Sequence, residues 1–368
     1  MTVEASTREA YGRTLIELGK QNKDIIVLDA DLSLSTMTYL FAQEFPERFF
    51  DCGLEEQNMI GIAAGLAASG KTVFASSFAV FASCRCFDQL RMCISQPKLN
   101  VKIVATHGGI TVGEDGTSHQ AIEDLSLYCS LPSFTVIVPA DAIETTEAVK
   151  AAAATYGPFY IRLSRPKTPL IYRKGHHFTV GKSITMKHGK DVAIIAMGIM
   201  VAKALQAAKV LANQGIGCRV INMHTLNPLD EEAIIKAASE TKAIVVAEEH
   251  LAHGGLGSRV AQIVAREKPV PMSFVNLKDR YSLSGKPGEL LQRSGLTAEG
   301  IEEAVKQVIQ KNKLSFCEMP SWVWHRERGT KQLIFQDNPG IQSYDLILIG
   351  EYGVKVKLFN FRSLFYKL

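Results

Sequence analysis

Glu55 and Glu56 stand side by side in DCGLEEQNMIGIAAGLAASG (51–70), at the mouth of a run of glycine, alanine and aliphatic residues. A carboxylate at a helix N-terminus is ordinarily a charge–dipole device of modest worth. Buried among apolar side chains, the same group has a raised pKa and trades protons near neutral pH. Both readings are open for this pair. A second loaded stretch, THGGITVGEDGTSHQ (106–120), holds His107, Glu114, Asp115 and His119. These histidines are paired with acids rather than spaced as metal ligands, which points to acid–base chemistry, and no metal ligand is assigned. The glycines at 108, 109, 113 and 116 suit a long turn. They match neither phosphate-loop template, GxGxxG or GxxxxGK[ST]. Arg165 in SRP and the acid- and hydroxyl-rich DADLSLST (29–36) add groups suited to an anionic polar substrate. HGGLGS (253–258) is open to two readings, an anion-binding turn or close helix packing, and His176–His177 reads as solvated. No GxSxG nucleophile elbow occurs.

Parallel strands would bring these loops together, because functional residues then collect at the strands' carboxyl ends. Short apolar runs at 24–31, 71–77, 100–107, 134–140 and 158–164 alternate with helical patterns near 5–20, 56–69, 79–95 and 141–155. Continuous apolar strands separated by helices predict an α/β fold with a sheet covered on both faces. The first domain is placed at 1–172. The polar, Gly-rich stretch from 173 reads as a linker, taken as 173–184. DVAIIAMG, CRVINMHT, AIVVAEEH and MSFVNL then continue the alternation as a second α/β domain over 185–313, its sheet parallel or mixed. From Leu314 the composition shifts. The tail, 314–368, holds both tryptophans, shows no clear helical or strand periodicity, and is assigned no function.

The whole-chain balance is that of an ordinary globular protein. Of 368 residues, 46% are hydrophobic and 21% charged, and the formal net charge is +4. The cations are scattered, with no Lys/Arg tract interleaved with aromatics, so nucleic acid is not indicated. Seven cysteines without CxxC or zinc spacing read as free thiols of a reducing compartment. The N-terminus lacks an apolar signal core, and the most hydrophobic stretch, 191–212, is interrupted by Lys203 and Lys209. A cytoplasmic protein without membrane association is expected.

GLEEQNMIGIAAGLA resembles the thiamine-diphosphate-dependent transketolase group. THGGITVGEDGTSHQAIEDLSLYCSLP resembles transketolase more than its relatives, and STREAYG and IRLSRP are similar to further motifs of that family, in the same order. The resemblance covers about 1–313 and does not reach the tail. It implies a pyrimidine-binding domain followed by the transketolase C-terminal domain. Full-length members carry, in an N-terminal half, a GDG motif for the cofactor diphosphate and a divalent metal, and nothing like it occurs here. The match is therefore to the C-terminal subunit of a split transketolase. Thiamine diphosphate with Mg²⁺ or Ca²⁺ would then be shared with an N-terminal, diphosphate-binding subunit, in an α2β2 heterotetramer acting on sugar phosphates of the pentose phosphate pathway.

Residue by residue, the resemblance assigns Glu56 to the aminopyrimidine ring nitrogen, where it favours the imino tautomer that removes the thiazolium proton. Glu55 is left as a surface or helix-mouth charge. Phe81 would stack on the ring with Phe78 beside it and Phe87 in the core, although helical spacing would also let all three face the core. His119 would contact the donor's terminal hydroxyl and assist proton transfer, and Asp115 would accept from the acceptor's C2 hydroxyl. Arg8, His107 and Arg165, with Ser35, would hold the sugar phosphate. Two alternatives share parts of this pattern. One is the β subunit of a 2-oxo acid dehydrogenase, or a deoxyxylulose phosphate synthase-like enzyme, with which PLDEEAI (228–234) is shared. The other is a non-catalytic homologue acting as a binding scaffold. GEDGTSHQ and the SRP arginine favour transketolase over the first, and the joint presence of Glu56, Asp115 and His119 disfavours the second.

Overall fold

The computed structural model describes residues 3–316 and four short strands within 323–356, with side chains described through residue 310. The chain opens with β1 (Glu4–Ala5) and α1 (Thr7–Gln21), whose N-cap Ser6 accepts a hydrogen bond from the Glu9 amide. There follow β2 (Ile25–Asp29), α2 (Ser33–Thr36), α3 (Tyr39–Glu44), β3 (Phe49–Asp51), α4 (Glu56–Ala68) and β4 (Thr72–Ser76). Over 79–95 the expected helix is wound as π turns, Phe81–Arg85 and Leu90–Ser95, around the single α turn α5 (Phe87–Gln89). Next come β5 (Val101–Ala105), α6 (Asp124–Cys129), β6 (Thr135–Ile137), α7 (Ala142–Ala154), β7 (Phe159–Arg162) and β8 (Thr168–Pro169).

The second half carries β9 (Ile184–Lys187), β10 (Val192–Ala196), α8 (Met200–Asn213), β11 (Cys218–Asn222), β12 (Thr225–Asn227) and α9 (Glu231–Glu240). It ends with β13 (Ala243–Ala247), α10 (Leu256–Glu267), β14 (Met272–Val275), α11 (Pro287–Arg293) and α12 (Ala298–Phe316).

The architecture is α/β, as the alternation predicts. The larger sheet has the order β12-β6-β7-β5-β4-β2-β3, with every pair parallel except β12–β6. The smaller has the order β14-β13-β10-β11-β9 and is mixed, because β9 runs antiparallel to β11. β2, β4 and β5 are buried at every position, the signature of strands covered on both faces. β9 starts at Ile184, inside the stretch that reads as linker. Its apolar residues are too few to stand out between Gly181 and Gly189.

β12 follows β11 of the second sheet, yet pairs with β6 at the edge of the first. This crossing joins the two sheets, and the chain up to Gln310 forms one compact unit. In the tail, β15 (Val323–Glu327) pairs antiparallel with β16 (Thr330–Ile334), and β17 (Ile347–Gly350) with β18 (Gly353–Val356). These strands form where the sequence shows no clear strand periodicity. VWHRE and TKQLI lack the alternation that marks a half-buried strand. The tail's other positions lie outside the described residues. Among the described residues no helix is long and apolar enough to cross a membrane, and the six cysteines are free.

Candidate active site

Five neighbouring parallel strands, β7-β5-β4-β2-β3, present their carboxyl ends along one edge, and each is followed by a chemically loaded loop. Arg165 follows β7, His107 follows β5, Phe78 and Phe81 follow β4, Ser35 follows β2, and Glu56 follows β3. Arg8, on α1, is brought to the same edge by the β1–β8 pairing (Glu4 with Pro169, Ala5 with Thr168) and by the Thr7 hydroxyl, which lies 3.3 Å from the Ser164 carbonyl oxygen.

Glu56 is 1% exposed at the N-terminus of α4. Its carboxylate accepts a 2.6 Å hydrogen bond from Arg85 Nη1, and the Arg85 guanidinium lies 4.5 Å from the centroid of the Phe81 ring. Glu56 is thus buried with an ion-pair partner rather than among apolar side chains alone. Glu55 is exposed and makes no side-chain cap. Phe81 is half-buried, whereas Phe78 is buried beneath it with ring centroids 6.0 Å apart. The rings of His107 (3.8 Å from Phe78) and His119 (5.2 Å from Phe81, edge-on) complete the aromatic group. Phe87 packs against the core of the first domain.

On the other side of these rings lies a cationic group. Arg8 donates to the Ser35 carbonyl at 2.6 Å and to the Arg165 carbonyl at 3.0 Å. Its Nε is buried without a hydrogen-bond partner. Arg165 donates to the Val112 carbonyl and, at 3.3 Å, to the Asp115 carboxylate. Burial and the neighbouring Arg165 charge both disfavour the Arg8 cation and lower its pKa. His107 is 3% exposed, adopts a left-handed φ of 62° and lies 2.8 Å through Nδ1 from the Thr106 hydroxyl. Burial first, then the charges of Arg8, Arg165 and His119, push its pKa down to about 3, so it is neutral at physiological pH. His119 lies 2.9 Å through Nδ1 from the Ser118 hydroxyl and faces the rings. An anion is the group that would relieve two adjacent guanidiniums and an orphaned N–H.

Residues 3–170 match the family described as transketolase, pyrimidine binding domain, and 181–301 match transketolase, C-terminal domain. A chain of Methanocaldococcus jannaschii named as a transketolase C-terminal section is 45% identical over 307 residues, covering 83% of this chain and 96% of its own. The chain belongs to the transketolase family.

The 6-deoxy-6-sulfo-D-fructose transketolase subunit of a Clostridium strain is 41% identical over 304 residues, 83% of this chain and 94% of that one. Human transketolase is 39% identical over 310 residues, and this chain spans 49% of its length. Among solved structures, a split-gene transketolase described as an inactive β4 tetramer superposes with a TM-score of 0.77 at 49% identity, covering 84% of this chain and 99% of that one.

Three features of this transketolase chain are not singled out by the sequence reading. Arg85 reaches Glu56 only because the π turn carries it there. Asp29, fully buried, accepts from the Leu32 amide (2.7 Å) and the hydroxyls of Thr36 (2.7 Å) and Thr38 (2.8 Å), shaping the loop whose Ser35 carbonyl holds Arg8. Burial outweighs those bonds and raises the Asp29 pKa to about 6. Arg162, 4% exposed, pairs with buried Asp124 at 3.0 Å and donates to the Ala121 carbonyl at the end of the 106–120 loop. A charge at the end of a buried strand was the available signal for Asp29 and Arg162 alike. HGGLGS resolves to close packing. The Glu248 carboxylate itself accepts from the Leu256 and Gly257 amides at 2.7 and 2.8 Å, which fills the anion position at the start of α10. His176 stacks on Tyr172 at 3.7 Å rather than standing free in solvent.

Proposed function

We propose that this chain is the catalytic C-terminal subunit of a two-chain, thiamine-diphosphate-dependent transketolase that transfers a two-carbon ketol unit between sugar phosphates. The observation that carries this reading is a chain of side-chain contacts, Glu56 to Arg85, Arg85 to Phe81, Phe81 to His119 and to Phe78, and Phe78 to His107, with the charges of Arg8 and Arg165 near enough to act on His107. A carboxylate and aromatic wall suited to a pyrimidine thus adjoin a cation pair suited to a phosphate.

The residues present fit the pyrimidine half of the cofactor. The Glu56 carboxylate is buried apart from one half-exposed guanidinium, and Phe81 offers a half-open face. When bound, thiamine diphosphate supplies an electron sink for the two-carbon unit in transit. Glu56 holds the proton at the pyrimidine ring nitrogen, and half-exposed Arg85 is the group the ring would displace from it. His119 moves a proton at the donor hydroxyl, and Asp115, oriented by Arg165, accepts from the acceptor's C2 hydroxyl. Arg8 and Arg165 bind the phosphate with Ser35, and neutral His107 contributes a hydrogen bond without adding to their repulsion.

We assign Mg²⁺ or Ca²⁺ and the diphosphate to a partner subunit, as the split-gene relatives suggest. An open surface beside Glu56 supports such a partner. Gly61, Ile62 and Gly65 are exposed on α4, and a side chain built at either glycine would touch nothing within 4 Å. Leu54, next to the same helix start, is 69% exposed. The assembly expected is α2β2, with sites built across subunit boundaries, in the cytoplasm and in pentose phosphate metabolism.

The test is ketol transfer from xylulose 5-phosphate to ribose 5-phosphate, first with this chain, thiamine diphosphate and Mg²⁺, then with the diphosphate-binding subunit added. No turnover without the partner and robust turnover with it is the expected result. Turnover by the single chain would refute the split site.

A further inference from the structure

The loop that carries Asp115 and His119 is held from outside its own domain. At its start, the Thr111 amide donates 2.8 Å to Glu249 Oε1. In its middle, the Ser284 hydroxyl donates 2.6 Å to the Glu114 carbonyl. At its end, Gln120 Nε2 donates 2.8 Å to the Leu283 carbonyl. Glu249 follows β13, and Leu283 and Ser284 precede α11, so all three partners belong to the second half of the chain.

The glycines of the loop record how close this approach is. A Cβ at Gly108 would lie 2.3 Å from Arg162 Nε, and one at Gly109 would lie 2.1 Å from Glu249 Cδ. Arg162 in turn donates to the carbonyls of Ala121 (2.7 Å) and Glu249 (3.1 Å), locking both sides of the junction. Glu249 is 6% exposed and Arg162 4%, so this lock is shielded from water and its bonds are not readily exchanged. Ser284, by contrast, is exposed at the rim.

We propose that the C-terminal domain serves as a brace for the substrate loop, with Glu249 and Ser284 as positioning residues that set where Asp115 and His119 stand. This gives the second domain a part in sugar recognition, although none of its side chains belongs to the catalytic group above. The inference deepens the functional reading and rests on it for the roles of Asp115 and His119. The brace itself rests only on the contacts just given.

The experiment is segment-resolved hydrogen exchange on the full chain, alone and assembled with its partner, for Ser284→Ala, Ser284→Thr and Glu249→Ala. Loss of one hydrogen bond should speed amide exchange in the 111–119 segment by about fivefold in Ser284→Ala. The effect should be larger in Glu249→Ala and absent in Ser284→Thr, which keeps the hydroxyl. In the assembled enzyme, KM for the sugar phosphates should rise in step, while affinity for thiamine diphosphate stays at the parental value. Ser284 is exposed, so its variants fold even if Glu249→Ala does not. Unchanged exchange over 111–119 in Ser284→Ala, or a fall in cofactor affinity equal to that for sugar, would overturn the brace. An exchange response in a parental assembly that transfers no ketol would uphold the brace and remove the functional reading instead.

Discussion

Arg165→Ala should separate phosphorylated from unphosphorylated acceptors. Arg165 and Arg8 are brought together by a hydrogen bond from Arg8 to the Arg165 carbonyl, and burial first, then the neighbouring guanidinium charges, lower the pKa values of Arg8 and His107. Such an arrangement is stabilised by a dianion between them. A charge-assisted contact is worth about 1.5–3 kcal/mol, or roughly tenfold to 150-fold in affinity. The Arg165 side chain is 34% exposed, so solvent screening places the effect at the lower end, about tenfold to thirtyfold in KM for ribose 5-phosphate. Arg165 also donates to the Val112 carbonyl and to Asp115, so a smaller loss of a few-fold should reach unphosphorylated acceptors through loop position. The assay is steady-state ketol transfer by the assembled enzyme with ribose 5-phosphate and with ribose, at saturating donor. Arg165→Lys should recover part of the difference, since it keeps the charge and loses the fork. Equal losses for both acceptors would refute a phosphate contact and leave Arg165 a structural residue.

Further outcomes follow from the same geometry. His107 should show no NMR titration between pH 5 and 8; its folded pKa of about 3 lies below its unfolded value, so the stability it contributes is lost as pH falls from about 6.5 towards 3, and a midpoint near 6.5 would contradict its burial. Phe81→Ala should weaken thiamine diphosphate binding in the assembly with little change in melting temperature, whereas Phe78→Ala, at a 7% exposed position, should cost roughly 3–5 kcal/mol of stability; equal stability losses would place both rings in the core. Deleting 314–368, beyond both family matches, should leave transfer activity and melting temperature nearly unchanged, and a truncated chain that no longer assembles would show the tail to be integral.

The elements were legible where burial is complete. IIVLD, TVFAS and VKIVA are five-residue apolar strands covered on both faces, and nothing but a sheet interior accommodates them. The carboxyl ends of β5 and of β7, read from 158–164, then place His107 and Arg165 by topology, whereas β3 before Glu56, a three-residue edge strand with two exposed positions, carries no such signal. β12 was not legible, because TLN is a three-residue edge strand whose pairing with β6 is decided by tertiary packing. Nor was the Glu56–Arg85 pair, since no local pattern predicts the π winding that turns Arg85 towards α4. AEEH and the adjacent glycines of HGG were both visible in the sequence. That Glu249 fills the space left by Gly109 depends on the meeting of two sheets.

The central claim is that Glu56 is the proton-holding group of the cofactor site, and one substitution tests it most directly. Glu56→Gln keeps the volume of a side chain that is 1% exposed and can still accept from Arg85, so the fold should persist. The amide cannot give up and regain a proton at the pyrimidine nitrogen. The measurement is turnover of xylulose 5-phosphate and ribose 5-phosphate by Glu56→Gln assembled with its partner, alongside circular dichroism and size-exclusion chromatography of the same sample. The account predicts a folded, assembled protein with transfer reduced by at least about a hundredfold. Near-parental transfer by that protein would contradict it.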